Sequence, residues 1–175
     1  DYSAAGGEIL EKKELIYQND IILKIAPPTS EEIDYMKSNQ VLISALQMVR
    51  TKESMIKQLI SKNITAIGYE LLRDDEGSLP IMRCMSEIAG RSSVLIAAEY
   101  LSNFNAGKGE LFGGIPGIQP TKVVIIGAGA VGEYAAQAAI GLGASVKIFD
   151  NNINKLRRIE RNLGSRICSS TIIPK

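Results

Sequence analysis

VVIIGAGAVGEYAAQAAIGLGASVKIFD, residues 123–150, is the stretch whose reading decides the fold. Val123 to Ile126 form a short run of β-branched apolar residues, suited to a strand at the centre of a parallel sheet. Gly127, Gly129 and Gly132 follow at the GxGxxG spacing and open an alanine-rich helix that closes on Gly143. SVKIF reads as the next strand, and it ends in Asp150, 18 residues after Gly132. A lone GxGxxG is a weak signal. A strand before it, a helix after it and an acid closing the following strand make it the fingerprint of a dinucleotide site.

Each part has a physical task. Gly127 permits the tight turn from strand to helix, Gly129 lets the backbone approach a pyrophosphate, and Gly132 lets the helix lie close on the strand. The helix N-terminus stabilises the phosphate charge. Asp150 is placed to accept hydrogen bonds from the adenosine ribose hydroxyls and to repel a 2′-phosphate, which favours NAD over NADP. FAD sites share the fingerprint, and a glycine-rich turn without any nucleotide is the plain structural alternative.

Outward from this stretch the pattern continues. DIILKIA (20–26) reads as a buried strand stopped by Pro27-Pro28, and Thr29 with Glu32 has the capping-box spacing of a short helix. VLISAL (41–46) and ITAIGYELL (64–72) read as further strands. Between them, TKESMIKQLISKN (51–63) places Met55, Ile56, Leu59 and Ile60 on one helical face. Strands alternating with amphipathic helices predict an α/β fold. Its two domains are doubly wound parallel sheets, one flavodoxin-like and one Rossmann, each incomplete within this chain. MSEIAGRSSVLIAAEYLS (85–102) reads as one long helix with Ser86 as N-cap and Glu87 at its positive end. NAGKGELFGGIPGIQPTK then carries five glycines and two prolines, a loop or hairpin linker. The predicted division is a substrate-type domain over 1–84, a connecting helix and linker over 85–120, and the first half of a Rossmann domain over 121–175. TIIPK is read as lying around a third Rossmann strand.

Composition narrows the chemistry. The 20 basic and 19 acidic residues leave a formal charge of +1 with no long run of one sign, so nothing suggests a nucleic-acid or membrane-surface partner. No apolar run approaches bilayer length, and DYSAAGGEILEKKE has no signal-peptide core. Cys84 and Cys168 form no CxxC pair and read as small packed residues of a reduced, cytoplasmic chain. Histidine is absent altogether, so a Ser-His-Asp triad or a His-bearing zinc site cannot be built from this chain. Asp74, Asp75 and Glu76 beside Gly77 read as turn chemistry. Arg157 and Arg158 read as a solvated helix face, one of them within possible reach of the adenosine ribose. No metal constellation is visible, and no residue stands out as catalytic.

MSEIAGR (85–91), GGIPGIQP (113–120), VVIIGAGAVGEYAA (123–136) and FDNNINKLRRIE (149–160) together resemble the alanine dehydrogenase / nicotinamide nucleotide transhydrogenase family. The similarity reaches back through KIAPPTSEE and ITAIGYE, and its details are nearer the alanine dehydrogenase branch. The resemblance implies a substrate domain and a Rossmann domain joined by long helices, with NAD as cofactor. Hydride transfer would run between NAD(H) and a small amino or imino acid. It also implies that Ser86 approaches the cofactor phosphates and that Ala130 and Val131 line the loop with Gly127, Gly129 and Gly132. A homo-oligomer is implied as well.

The chain departs from the family where the substrate binds. The family's pyruvate-holding lysine, in L-K-x-K-E-P, falls at Ala26, and its histidine, in L-H-L, falls at Gln47. The family's N-terminal substrate-binding arginine belongs to a segment that this chain does not contain. Lys24 would share a strand face with residue 26 and is a weak substitute, or else a solvated edge lysine. Gln47 could hydrogen-bond a carbonyl but cannot shuttle protons, or it simply closes a strand. Two alternatives therefore stand beside a dehydrogenase of amino or oxo acids. One is an NAD(H)-binding subunit of a proton-translocating transhydrogenase with a membrane-bound partner, and the other is a catalytically inactive NAD-binding module. The reading expects a fragment of a longer protein with an exposed sheet edge.

Overall fold

The computed structural model describes residues 1–172. The chain forms two compact units, Asp1–Ile81 and Met82–Lys175. Each is built on a three-stranded parallel sheet, which is the α/β arrangement the alternating pattern predicts.

The first unit runs α1 (Lys13–Ile16), β1 (Ile21–Leu23), α2 (Ser30–Tyr35), β2 (Val41–Ser44), α3 (Glu53–Ser61) and β3 (Thr65–Gly68), followed by a 3-10 turn at Tyr69–Leu71. The strand order is β1-β2-β3, with Ile22 opposite Leu42 and Leu42 opposite Ala66. Ile22, Ile33, Met36, Leu42, Leu59 and Tyr17 form its core. The α2 start is the predicted capping box: Thr29 Oγ1 accepts the Glu32 N–H at 3.2 Å, and Glu32 accepts the Thr29 N–H at 2.7 Å. The turn at Asp74 is also as predicted, its carboxylate accepting the N–H groups of Glu76 and Ser78.

Three local expectations change. β1 is three residues long and only Ile22 is buried, because alternate side chains point away from the one core that covers the sheet. β3 stops at Gly68 rather than running through Leu72: Tyr69 turns inward and donates its hydroxyl to the Ile25 carbonyl at 2.6 Å. Ile60, placed by periodicity on the buried face of α3, is exposed, whereas Leu59 is buried.

The second unit runs α4 (Pro80–Leu101, belonging here from Met82), β4 (Lys122–Ile126), α5 (Ala130–Gly141), β5 (Ser145–Asp150), α6 (Ile153–Leu163) and β6 (Ile167–Thr171). The order is β4-β5-β6, and Ile148, Leu156, Ile159, Ala136, Ala139 and Val146 fill the core. The glycine- and proline-rich segment before β4 closes on Thr121, whose N–H donates to the Gly113 carbonyl and whose hydroxyl donates to that of Leu111.

Here too some expectations are corrected. α4 begins at Pro80, a residue whose fixed φ suits a helix start and which has no N–H to leave unsatisfied. Ser86 is therefore not its N-cap, and Glu87 is not at its positive end. Among the described residues β5, not β4, is the central strand; β4 lies at an edge, with Val124 and Ile126 exposed. Cys84 and Cys168 are exposed rather than packed; on β6 the alternation that buries Ile167 turns Cys168 outward. The third strand precedes most of TIIPK, and residues 173–175 lie outside the described residues. Among the described residues no helix is long and apolar enough to cross a membrane.

Candidate nucleotide-binding site

The glycine loop joins the end of β4 to the start of α5. Gly127 has φ +106°, a left-handed conformation that glycine adopts without steric cost. Its N–H donates to the Phe149 carbonyl at 2.7 Å, tying the loop to β5. A Cβ added at Gly132 would lie 1.9 Å from the Gly127 carbonyl oxygen, so helix and loop touch there as the fingerprint requires. At Gly129 the finding is opposite: nothing lies within 4 Å of an added Cβ. That free space over the backbone is what a pyrophosphate needs. Gly129 is also the α5 N-cap and brings no capping side chain, which leaves the first N–H groups of the helix available to an anion. The residues present therefore fit a dinucleotide.

A cavity of about 540 Å³ opens beside the loop, lined among others by Ser86, Gly127, Gly129, Ala130, Val131 and Gly132. Ser86 reaches it from the second turn of α4, its hydroxyl donating to the Met82 carbonyl at 2.8 Å. This bond to the preceding turn satisfies Ser86 within its own helix. A rotation of its side chain would redirect the proton to a ligand. α4 approaches α5 closely because of Gly90, where an added Cβ would stand 2.5 Å from the Val131 carbonyl oxygen. Glu87 accepts the Tyr134 hydroxyl at 2.6 Å, and that bond, with help from Arg83, holds its pKa below the ordinary carboxylate range.

Asp150 closes β5 and is 7% exposed. Its carboxylate accepts the Ala128 N–H and the Asn152 N–H, both at 2.7 Å. These bonds, that of Ala128 first, lower its pKa against the opposing effect of burial. A carboxylate has about four lone-pair positions, so two backbone donors leave capacity for a ribose hydroxyl. From α6, Arg158 donates to the Ala128 carbonyl at 3.2 Å and pairs with Glu133 at 3.1 Å. Asn162 donates to the same Glu133 at 2.6 Å. Arg158 is thus half-engaged with the loop and is not a purely solvated residue.

In the first unit, Lys24 and Gln47 both lie just beyond the carboxyl ends of parallel strands, where α/β sheets present ligand-binding loops. Their surroundings differ. Lys24 Nζ pairs with Glu32 at 2.5 Å, both side chains largely buried. Burial would raise the Glu32 pKa, but the Lys24 ammonium, the Thr29 N–H and Tyr17 outweigh it and hold the acid at about 2. Lys24 is therefore committed to the protein. Gln47 is exposed at φ +47°, with its N–H donated to Glu70 at 2.7 Å and its carbonyl accepting from Arg50 at 2.7 Å. Glu70 also accepts the Leu46 N–H at 3.1 Å. Ala26 is exposed.

Sequence reasoning did not single out Glu70, Gly90, Glu133 or Asn162. Glu70 sits in a segment read as strand; only its position just after an apolar run hinted at a loop role. Gly90, inside an otherwise regular helix pattern, is a signal of close packing that could have been taken.

Residues 1–89 match the family described as alanine dehydrogenase/PNT, N-terminal domain, and residues 93–173 match its C-terminal domain. The chain is 39% identical over 168 residues to an alanine dehydrogenase of Mycolicibacterium smegmatis, and 40% identical over 168 residues to one of Methanococcus maripaludis. Each alignment covers 95% of this chain and 45% of the relative. A solved L-alanine dehydrogenase superposes with a TM-score of 0.85 at 37% identity, covering 98% of this chain and 47% of that one. A transhydrogenase from Sinorhizobium meliloti shares the fold, with a TM-score of 0.79 at 22% identity over 98% of this chain and 49% of that one. The chain spans less than half the length of the curated relatives it matches.

Proposed function

The chain belongs to the alanine dehydrogenase/PNT family, and from that membership we propose that it forms part of an NAD-dependent oxidoreductase of the alanine dehydrogenase type. The observation that carries this reading is the loop at Gly127–Gly132, open above Gly129 and closed beneath Gly132. The relatives named alanine dehydrogenase support it across both units. NAD(H), when bound, supplies the acceptor or donor of hydride for a small amino or imino acid.

In this reading the protein's own residues bind and orient. Gly129, Ala130 and Val131 present N–H groups to the pyrophosphate at the positive end of α5, and Ser86 adds a hydroxyl from α4. Asp150 takes the adenosine ribose and, being ionised, disfavours a 2′-phosphate. On the substrate side, Gln47 offers an amide donor to a carboxylate or carbonyl from its exposed loop, while Lys24 remains with Glu32. Ala26 and Gln47 stand where the family has its lysine and histidine, and this favours one second reading: an NAD-binding protein that does not turn over alanine.

The test is NADH oxidation by the intact protein with pyruvate and ammonium, run beside an NADH binding titration. Binding with turnover supports the dehydrogenase. Binding without turnover selects the second reading, and absence of binding removes both.

A further inference from the structure

We infer that Arg158 is a positioning residue for the cofactor phosphates, acting on the Gly129 N–H through the Ala128 carbonyl. The inference rests on the nucleotide-binding reading of the loop and adds to it a residue from α6.

The Ala128–Gly129 peptide is planar and trans, so its C=O and N–H point in opposite directions. A donor that holds the Ala128 oxygen therefore sets where the Gly129 N–H points. Arg158 is that donor, at 3.2 Å. The preceding peptide is fixed in the same manner from its other end, since Asp150 accepts the Ala128 N–H at 2.7 Å and the Gly127 oxygen packs on Gly132. Two successive peptides of the loop are thus oriented by β5 and α6. The α5 N-cap, a glycine without a capping side chain, cannot do this itself.

Arg158 is itself held. Glu133 pairs with it at 3.1 Å, and Asn162 donates to Glu133 at 2.6 Å, so the guanidinium is braced between the loop and the first turn of α5. This pairing has an electrostatic consequence. Glu133 places a negative charge in the first turn of a helix whose N-terminus is meant for an anion. Its pairing with Arg158 offsets the repulsion that a phosphate would otherwise meet. Both effects act on phosphate and neither acts on the adenosine end.

The experiment compares NADH, ADP and adenosine binding to the intact protein, wild type and Arg158→Ala, by titration. The expected result is a loss of about tenfold for NADH and ADP, the size of one charge-assisted hydrogen bond, with adenosine within about twofold of wild type. Arg158→Lys should recover part of the loss, because an ammonium can supply one donor to the Ala128 carbonyl and one charge to Glu133. If Arg158→Ala does not fold, Arg158→Gln takes its place, with about a threefold loss expected for ADP and none for adenosine. Undiminished ADP binding overturns the inference. An equal loss for adenosine also overturns it, pointing to a general loosening or a direct ribose contact. Failure of the wild type to bind NADH is the separate result that removes the nucleotide reading and the inference together.

Discussion

The Glu70 carboxylate accepts the backbone N–H of Gln47 at 2.7 Å, so a side chain just past β3 holds the loop that follows β2 in a left-handed turn. Glu70 takes the Leu46 N–H as well, and Tyr69 beside it donates to the Ile25 carbonyl beyond β1. Residues at the end of one strand thereby order the loops after the other two, at the edge where Gln47 is presented. Truncating Glu70→Ala should leave the part-buried Leu46 N–H without its acceptor and that of exposed Gln47 to water, at a cost of about 1 kcal/mol. Glu70→Gln, keeping one acceptor, should lose about half as much. Gln47→Gly removes the left-handed strain and should stabilise by roughly 0.5 kcal/mol. Urea unfolding midpoints of the three variants test the set, and a neutral Glu70→Ala would show that the brace carries no stability.

Gly129 and Gly132 of the loop should respond in opposite ways to the same methyl group. Gly129→Ala meets nothing within 4 Å, so the melting temperature should hold while NADH affinity drops at least tenfold, the methyl occupying the phosphate space. Gly132→Ala drives a Cβ to 1.9 Å from the Gly127 oxygen, a backbone atom that cannot step aside. It should destabilise by about 2 kcal/mol or more, as overpacking does. Thermal melts paired with NADH titrations separate the cases; a Gly129→Ala protein that binds NADH normally would count against the site.

Gly90 should matter for the position of Ser86, which lies one turn earlier on α4. Gly90→Ala puts a Cβ 2.5 Å from the Val131 oxygen and 2.9 Å from the Ala135 nitrogen. The helices must separate, at about 1–3 kcal/mol. Melting temperature and NADH affinity should fall together. An unchanged melt would mean that α4 does not rest on α5 at this point.

The Lys24–Glu32 pair gives the first unit a defined acid sensitivity. Glu32 sits at about 2 when folded, below its ordinary value of 4.5. A depressed acid stabilises the fold fully above its unfolded pKa and loses that contribution as the pH falls through the folded pKa. The window is therefore from about pH 5 down to about pH 2. Glu32→Gln should cost on the order of 2 kcal/mol at pH 7, and its difference from wild type should shrink towards pH 2. Urea denaturation of both proteins at pH 7, 4 and 3 measures this; a constant difference would refute it.

Installing at positions 26 and 47 the residue types that the resemblance implies there tests the substrate reading directly. Ala26 and Gln47 are both exposed, so lysine and histidine fit there without repacking. The double variant Ala26→Lys, Gln47→His should raise NADH oxidation with pyruvate and ammonium by at least tenfold over the parent, given the usual contribution of a positioned acid or base. No gain, with NADH binding intact, would place the missing chemistry elsewhere.

What the sequence determined by itself is local. The Gly127, Gly129 and Gly132 spacing, the Thr29–Glu32 capping box and the strand–helix alternation act over a few residues through φ preference and side-chain period, and the fold shows all three. The family resemblance, carried by ordered motifs, was legible for the same reason. Tertiary structure alone decided three partnerships: Lys24 with Glu32, Glu70 with Gln47, Arg158 with Ala128. Each joins segments of its unit that are distant in sequence or belong to different elements and loops. Ser86 with Met82 is by contrast local to α4, and required knowing only that the helix starts at Pro80 rather than at Met85. A periodic pattern states which face of an element is apolar. Which polar groups end up hydrogen-bonded to each other follows only once those faces have packed.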